Sequence, residues 1–172
     1  MASRTARALL CLTAVAVAGC PSKKKSEPAA PSATDGRAAV AVKVPLPPGW
    51  VAVGNDDGSL RLGPPGQSIL RIDPKPGQGD ALPSPSELER GFRQALDGAQ
   101  VSEIDHEDKD DVSLVVLSVS PADPKAGEPA VVLLGAKRVG TDLYLCATAP
   151  GARAEDVKLA AGACREIHLP EK

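Results

Sequence analysis

Two segments leave this chain little choice of architecture. VSLVVLSV (Val112–Val119) and AVVLLGA (Ala130–Ala136) are almost unbroken apolar runs, rich in β-branched and branched aliphatic residues. Runs of that length and type make strands buried on both faces, so the sheet that holds them must be packed from two sides. RVGTDL, just downstream, places a glycine where a tight hairpin turn needs one, at Gly140. The core must also be aliphatic. Hydrophobic residues make up 42% of the 172 residues but aromatics only 2%, namely Trp50, Phe92 and Tyr144. So few rings argue against an aromatic ligand cage or a base-stacking surface.

Around these runs the remaining elements can be placed. Trp50–Val53 and Leu60–Leu62 flank NDDG, whose residues tolerate positive φ, and predict a hairpin. QSILRID predicts a third strand, and PKPGQGDALP reads as loop. SPSELERGFRQALDG predicts a helix. Ser84 and Glu87 form a capping box, Pro85 suits the first turn, and Leu88, Phe92, Ala95 and Leu96 make one stripe. Gly98 is placed to end it, and Gly91 in its middle marks a close approach by a neighbour. Four strands follow, at about Gln100–Asp105, Val112–Val119, Ala130–Val139 and Asp142–Thr148. A helix over Ala152–Arg165 then turns Val157, Ala160, Ala161 and Cys164 to one side. The class is α+β, an antiparallel sheet flanked by helices in the order β-β-β-α-β-β-β-β-α, over a single domain at 45–172.

The first 44 residues read differently. Arg4 and Arg7 precede ALLCLTAVAVA (Ala8–Ala18), a basic and then apolar layout like that of an export signal. At about eleven residues the apolar run is too short to span a bilayer, which takes about 17–25. Its end, VAGC (Val17–Cys20), resembles the lipobox of bacterial lipoproteins. The resemblance implies a signal peptide over 1–19 and a diacylglycerol on the thiol of Cys20; the alternative is a generic signal in which Cys20 is incidental. Residues 20–44, rich in Pro, Ala, Ser and Lys, are expected to be a disordered tether. Five basic side chains against two acidic give it a net charge of +3, whereas residues 45–172 carry 13 basic and 20 acidic, a net of −7. A basic tether suits an anionic membrane surface, and an acidic domain would be repelled by nucleic acid. Ordinary solubilising charge is the plainer reading of the same numbers.

Cys11 falls in the signal and Cys20 is the lipid site, which leaves Cys146 and Cys164. In an exported protein such a pair defaults to a disulfide. Buried free thiols are the alternative. Metal binding is disfavoured, since there are only two histidines, His106 and His168, and no tight C-x-x-C or H-x-x-H spacing.

Signals for chemistry are weak. IDHEDKDD carries Asp105, Glu107, Asp108, Asp110 and Asp111, a conceivable calcium site, but without the EF-hand glycine and terminal glutamate. The alternative is a solvated hairpin loop. His106 and His168 could each serve as a base or lie on the surface, and no G-x-S-x-G or phosphate-loop pattern accompanies them. Trp50 is either a stacking platform or a core anchor. No cofactor is implied.

LPPGW entering the first strand, LPSPSELERGFRQAL as the middle helix and LYLCATAPGARAEDVKLAAGACREI as the last strand and helix resemble the PsbP-like (Mog1p/PsbP) fold over residues 45–169. That resemblance implies an accessory, assembly or binding protein and supplies no functional residue. The expectation is a non-enzymatic envelope lipoprotein, its membrane contact made through lipid on Cys20 and its partner a protein of the envelope, with no nucleic acid. Pro21, where an Asp would favour retention in the inner membrane, resembles the sorting pattern for the outer membrane. A small envelope hydrolase or small-ligand carrier is the alternative.

Overall fold

The computed structural model describes residues 39, 41–96, 98–121 and 127–171. The proposed signal peptide, Cys20 and most of the tether lie outside the described residues.

Seven strands form one antiparallel sheet: β1 (Val51–Gly54), β2 (Leu60–Gly63), β3 (Leu70–Lys75), β4 (Gln100–Lys109), β5 (Val112–Ser120), β6 (Ala130–Val139) and β7 (Asp142–Thr148). Their order across the sheet is β1-β2-β3-β7-β6-β5-β4. Every connection but one joins neighbouring strands. The exception leaves β3, passes through a short 3-10 turn (Gly79–Ala81) and helix α1 (Pro85–Ala95), and enters at the far edge as β4. Helix α2 (Ala154–Arg165) follows β7. The element order is therefore the expected one.

Alternation along the strands sends side chains to two separate cores. On one face Leu62, Leu70, Ile72, Leu114, Leu133, Tyr144 and Cys146 pack with Val157, Ala160 and Cys164 of α2. On the other Val101, Val115, Leu117 and Val132 pack under Leu88, Phe92 and Leu96 of α1. β5 and β6 supply both clusters, which is why they read as nearly continuous apolar runs. Trp50 is 7% exposed and belongs to the α2-side core, so it is an anchor and not a platform.

Local rules explain the ends. The Ser84 hydroxyl accepts from the Glu87 N–H and the Glu87 carboxylate accepts from the Ser84 N–H, closing the capping box. Ala95 is exposed, so the stripe that docks is Leu88, Phe92 and Leu96. Gly91 faces open space, contrary to the close approach expected of it. β3 extends to Lys75, beyond the expected end at Asp73. Its last residues pair only with β7, so Pro74 withholds an N–H from no strand.

Two further departures concern segment limits. β4 continues to Lys109, and only Asp110 and Asp111 turn the chain, so most of IDHEDKDD is strand and not loop. As an edge strand it can carry charge on both faces. Residues 42–44, placed in the tether by composition, meet the domain. Lys43 and His168 exchange backbone hydrogen bonds at 2.8 and 3.1 Å, and Val42 and Val44 pack against the core.

Candidate functional site

Cys146 and Cys164 form a disulfide, with Cα atoms 6.2 Å apart and both residues buried. Cys146 points from β7 to the face that α2 covers, and helical phase turns Cys164 down to meet it. Gly135 makes room for the bridge. It lies opposite both Leu114 and Cys146 in the sheet, and a Cβ there would stand 3.1 Å from Cys164 Sγ.

The other residues singled out in the sequence do not converge. His106 Nδ1 lies 2.8 Å from Glu103 Oε1 on the same strand, and His168 Nδ1 lies 2.7 Å from the Glu166 carbonyl. A β-bulge between Glu103 and Asp105 changes which face the later residues of β4 address. It sends Glu107 toward α2, where Arg165 lies 2.7 Å away and holds the Glu107 carboxyl below its usual range. Asp111 pairs with Lys137. Among the described residues, no three His, Cys, Asp or Glu side chains gather where they could hold a metal ion.

What the described residues do leave open is half of one sheet face. Helix α2 lies over β6 and β7 on its side, while α1 packs chiefly on β4, β5 and β6 on the other. Past α1, register aligns a cross-strand row of Val53, Arg61, Arg71 and Ala147, ending at Leu134. A groove of about 280 Å³ runs along the helix, walled by Leu88 and Phe92 and floored by Leu134, Leu145 and Ala147, with Asp73 at its far side.

The charges beside this groove are fixed in place. Arg71 donates to Asp73 at 2.9 Å and to Asp57 at 3.0 Å, so it is held above the ordinary guanidinium range. Asp57 also accepts from the Ser59 hydroxyl and N–H, at 2.6 and 3.0 Å. Ser59 first, and then Arg71, hold its carboxyl down to about 2. Arg61 stands directly opposite Arg71, is exposed, and has no ion pair among the described residues. The two carboxylates on Arg71 balance both guanidiniums, so the cluster carries no net charge, and Arg61 is the guanidinium left without an ion pair among the described residues, at the rim of an apolar floor.

A second cavity, about 570 Å³, opens on the α2 side. Leu60, Ile72, Pro74, Pro76, Val42 and Tyr144 line it, with Asp56 and Asp57 at its edge. Burial, and then the nearby Asp142 charge, push the Tyr144 phenol up to about 12.

Sequence reading missed Arg61, Arg71 and the open face. The signal was present in β2 and β3, where Leu60, Leu62, Leu70 and Ile72 alternate with Arg61, Arg71 and Asp73. That pattern marks strands covered on one face only. No protein-family model matches the chain, and no curated protein matches it. Among the described residues, no helix is long and apolar enough to cross a membrane.

Proposed function

We propose that this protein is a lipid-anchored lipoprotein of the bacterial cell envelope that works as a non-enzymatic binding or assembly module. Cys20 carries the anchor, the outer membrane facing the periplasm is the favoured location, and the domain is of the PsbP-like (Mog1p/PsbP) kind. The observation that carries the binding role is the uncovered half-face beside α1. Its apolar floor next to an unpaired Arg61 suits a protein segment that offers an apolar side chain flanked by a carboxylate. The disulfide supports an oxidising compartment, and VAGC supports the anchor.

Two measurements test this. Mass spectrometry of the membrane-extracted protein is expected to find an acylated N-terminal Cys20 peptide; an unmodified, released form refutes the anchor. A photo-crosslinking residue at position 147 is expected to capture a discrete envelope protein, and one at Lys158, on the exposed side of α2, is not. Equal capture from both positions refutes the assignment of the face. The cavity beside Tyr144 favours the second reading, a small-ligand carrier, because its volume falls within the range of ligand sites, about 300–1,000 Å³.

A further inference from the structure

The sheet has two edges, and they are built in opposite ways. β4 is bulged and carries Glu103, Asp105, His106, Glu107, Asp108 and Lys109 along its outer half. Charge and irregularity of this kind are how proteins block strand addition. β1 has neither. Val51–Gly54 contains no charged residue and no proline, and it pairs with β2 in unbroken register through all four positions. Val51 and Val53 are 42% and 56% exposed and stand on the same face.

The hairpin tells which backbone groups of β1 are free. Asn55 N–H donates to the Ser59 carbonyl at 2.9 Å. Hydrogen-bonded and non-hydrogen-bonded pairs alternate along an antiparallel ladder. Val53 and Val51 therefore bond inward to β2, while Ala52 and Gly54 turn their N–H and C=O groups to the open edge.

We propose that β1 pairs with β1 of a second copy of this chain, antiparallel about a two-fold axis at Ala52. The register follows from the free groups. Ala52 exchanges both hydrogen bonds with Ala52 of the other copy. Val51 then lies opposite Val53, and Val53 opposite Val51, in the close non-hydrogen-bonded positions. The segment Val-Ala-Val reads the same in both directions, so a two-fold contact sets valine against valine with no charge opposed. A foreign strand would have no such reason to match. The ladder is short, because Trp50 N–H already donates to Pro47 O at 3.0 Å. The contact is accordingly a weak, reversible one, and it joins the uncovered face of one copy to that of the next. This pairing needs neither the lipid anchor nor the proposed partner.

Sedimentation equilibrium of the full chain in density-matched detergent tests it, together with the Val53→Lys variant. The wild type is expected to shift from monomer to dimer as concentration rises, and Val53→Lys to remain monomeric at every concentration. In parallel, Ala52→Cys is expected to give a covalent dimer under mild oxidation, since Cα atoms in a hydrogen-bonded pair lie about 5.5 Å apart, within disulfide range. Asp108→Cys on the other edge and the unsubstituted chain serve as controls. A wild type that stays monomeric throughout overturns the proposal. So does a dimer that Val53→Lys leaves intact, or cross-linking at Asp108→Cys equal to that at Ala52→Cys.

Discussion

Gly135→Ala separates two effects that a strand glycine usually confounds. In most strands replacing glycine by alanine favours folding by roughly 0.5–1 kcal/mol, because the unfolded chain loses freedom. At Gly135 the new Cβ would stand 2.5 Å from Leu114 Cδ2, 3.1 Å from Cys164 Sγ and 3.4 Å from Cys146 Cβ. The sulfur is held by its bridge, so Leu114 or the whole of α2 must give way; Leu114 is buried, and α2 is docked through Val157, Ala160, Ala163 and Cys164, all buried. Overpacking of this sort costs about 1–3 kcal/mol, which exceeds the entropic gain. The expected result is a net loss of about 1–2 kcal/mol with the disulfide intact. Denaturant unfolding followed by the fluorescence of Trp50, the sole tryptophan, measures it. Repeating the substitution in a Leu114→Ala background supplies the control. There the new methyl enters space that Leu114 vacated, and the double variant should be more stable than additivity predicts by about 0.5–3 kcal/mol. A stabilised Gly135→Ala protein, or strict additivity with Leu114→Ala, would refute the argument from close packing.

Four further outcomes are expected. Gly91→Ala, on an exposed helix position with open space around it, should raise stability by about 0.5–1 kcal/mol in the same unfolding assay. Replacing Cys146 and Cys164 together by Ala should cost about 3 kcal/mol for a loop of 18 residues; peptide mapping without reductant checks that the pair is bonded in the native protein. Tyr144 is the only tyrosine, so phenolate absorbance reports it alone. Its midpoint should lie at about 12 in the native protein and near about 10 in denaturant, and stability should fall as pH rises from the second value toward the first, a loss that Tyr144→Phe removes. Asp57, depressed to about 2, contributes stability that is present above its unfolded value of about 4 and lost as pH falls toward 2. Asp57→Asn should therefore flatten the acid limb of a plot of unfolding midpoint against pH.

Local chemistry made much of the fold legible. The capping box at Ser84, NDDG and Gly140 each act within a few residues, and all three appear where the sequence puts them. The phase of Cys164 against Cys146 was also readable, because strand alternation and helical period both apply to short segments. What escaped reading depends on sheet position. IDHEDKDD looks like a loop because six of its eight residues are acidic or basic and a seventh is histidine, yet at an edge a bulged strand can carry most of those side chains to water. Val42 and Val44 are held by a C-terminal segment more than 120 residues away, and composition near them carries no trace of it. The open half-face is of the same kind. Among the described residues no helix lies over Arg61 and Arg71, because the chain leaves β3 and crosses to the opposite edge, and that path is a property of the whole topology.

The place of β7 bears on the order in which the chain can fold. It lies between β3 and β6, so among the described strands it alone joins the β1-β2-β3 meander to the β6-β5-β4 meander. It is also the last strand made. Until Thr148 has emerged from whatever channel or ribosome delivers the chain, β3 has no central neighbour, and its side chains Leu70 and Ile72 have no sheet beyond β2 to join. The closing partnership, Leu70 with Thr148 through Lys75 with Leu143, spans more than half of the domain in sequence, and contacts so distant in sequence form slowly because loop closure must come first. A chain threaded from its N-terminus would therefore stay unlatched for most of its passage. It would close when one seven-residue strand arrives, followed six residues on by the helix that carries the locking cysteine, Cys164.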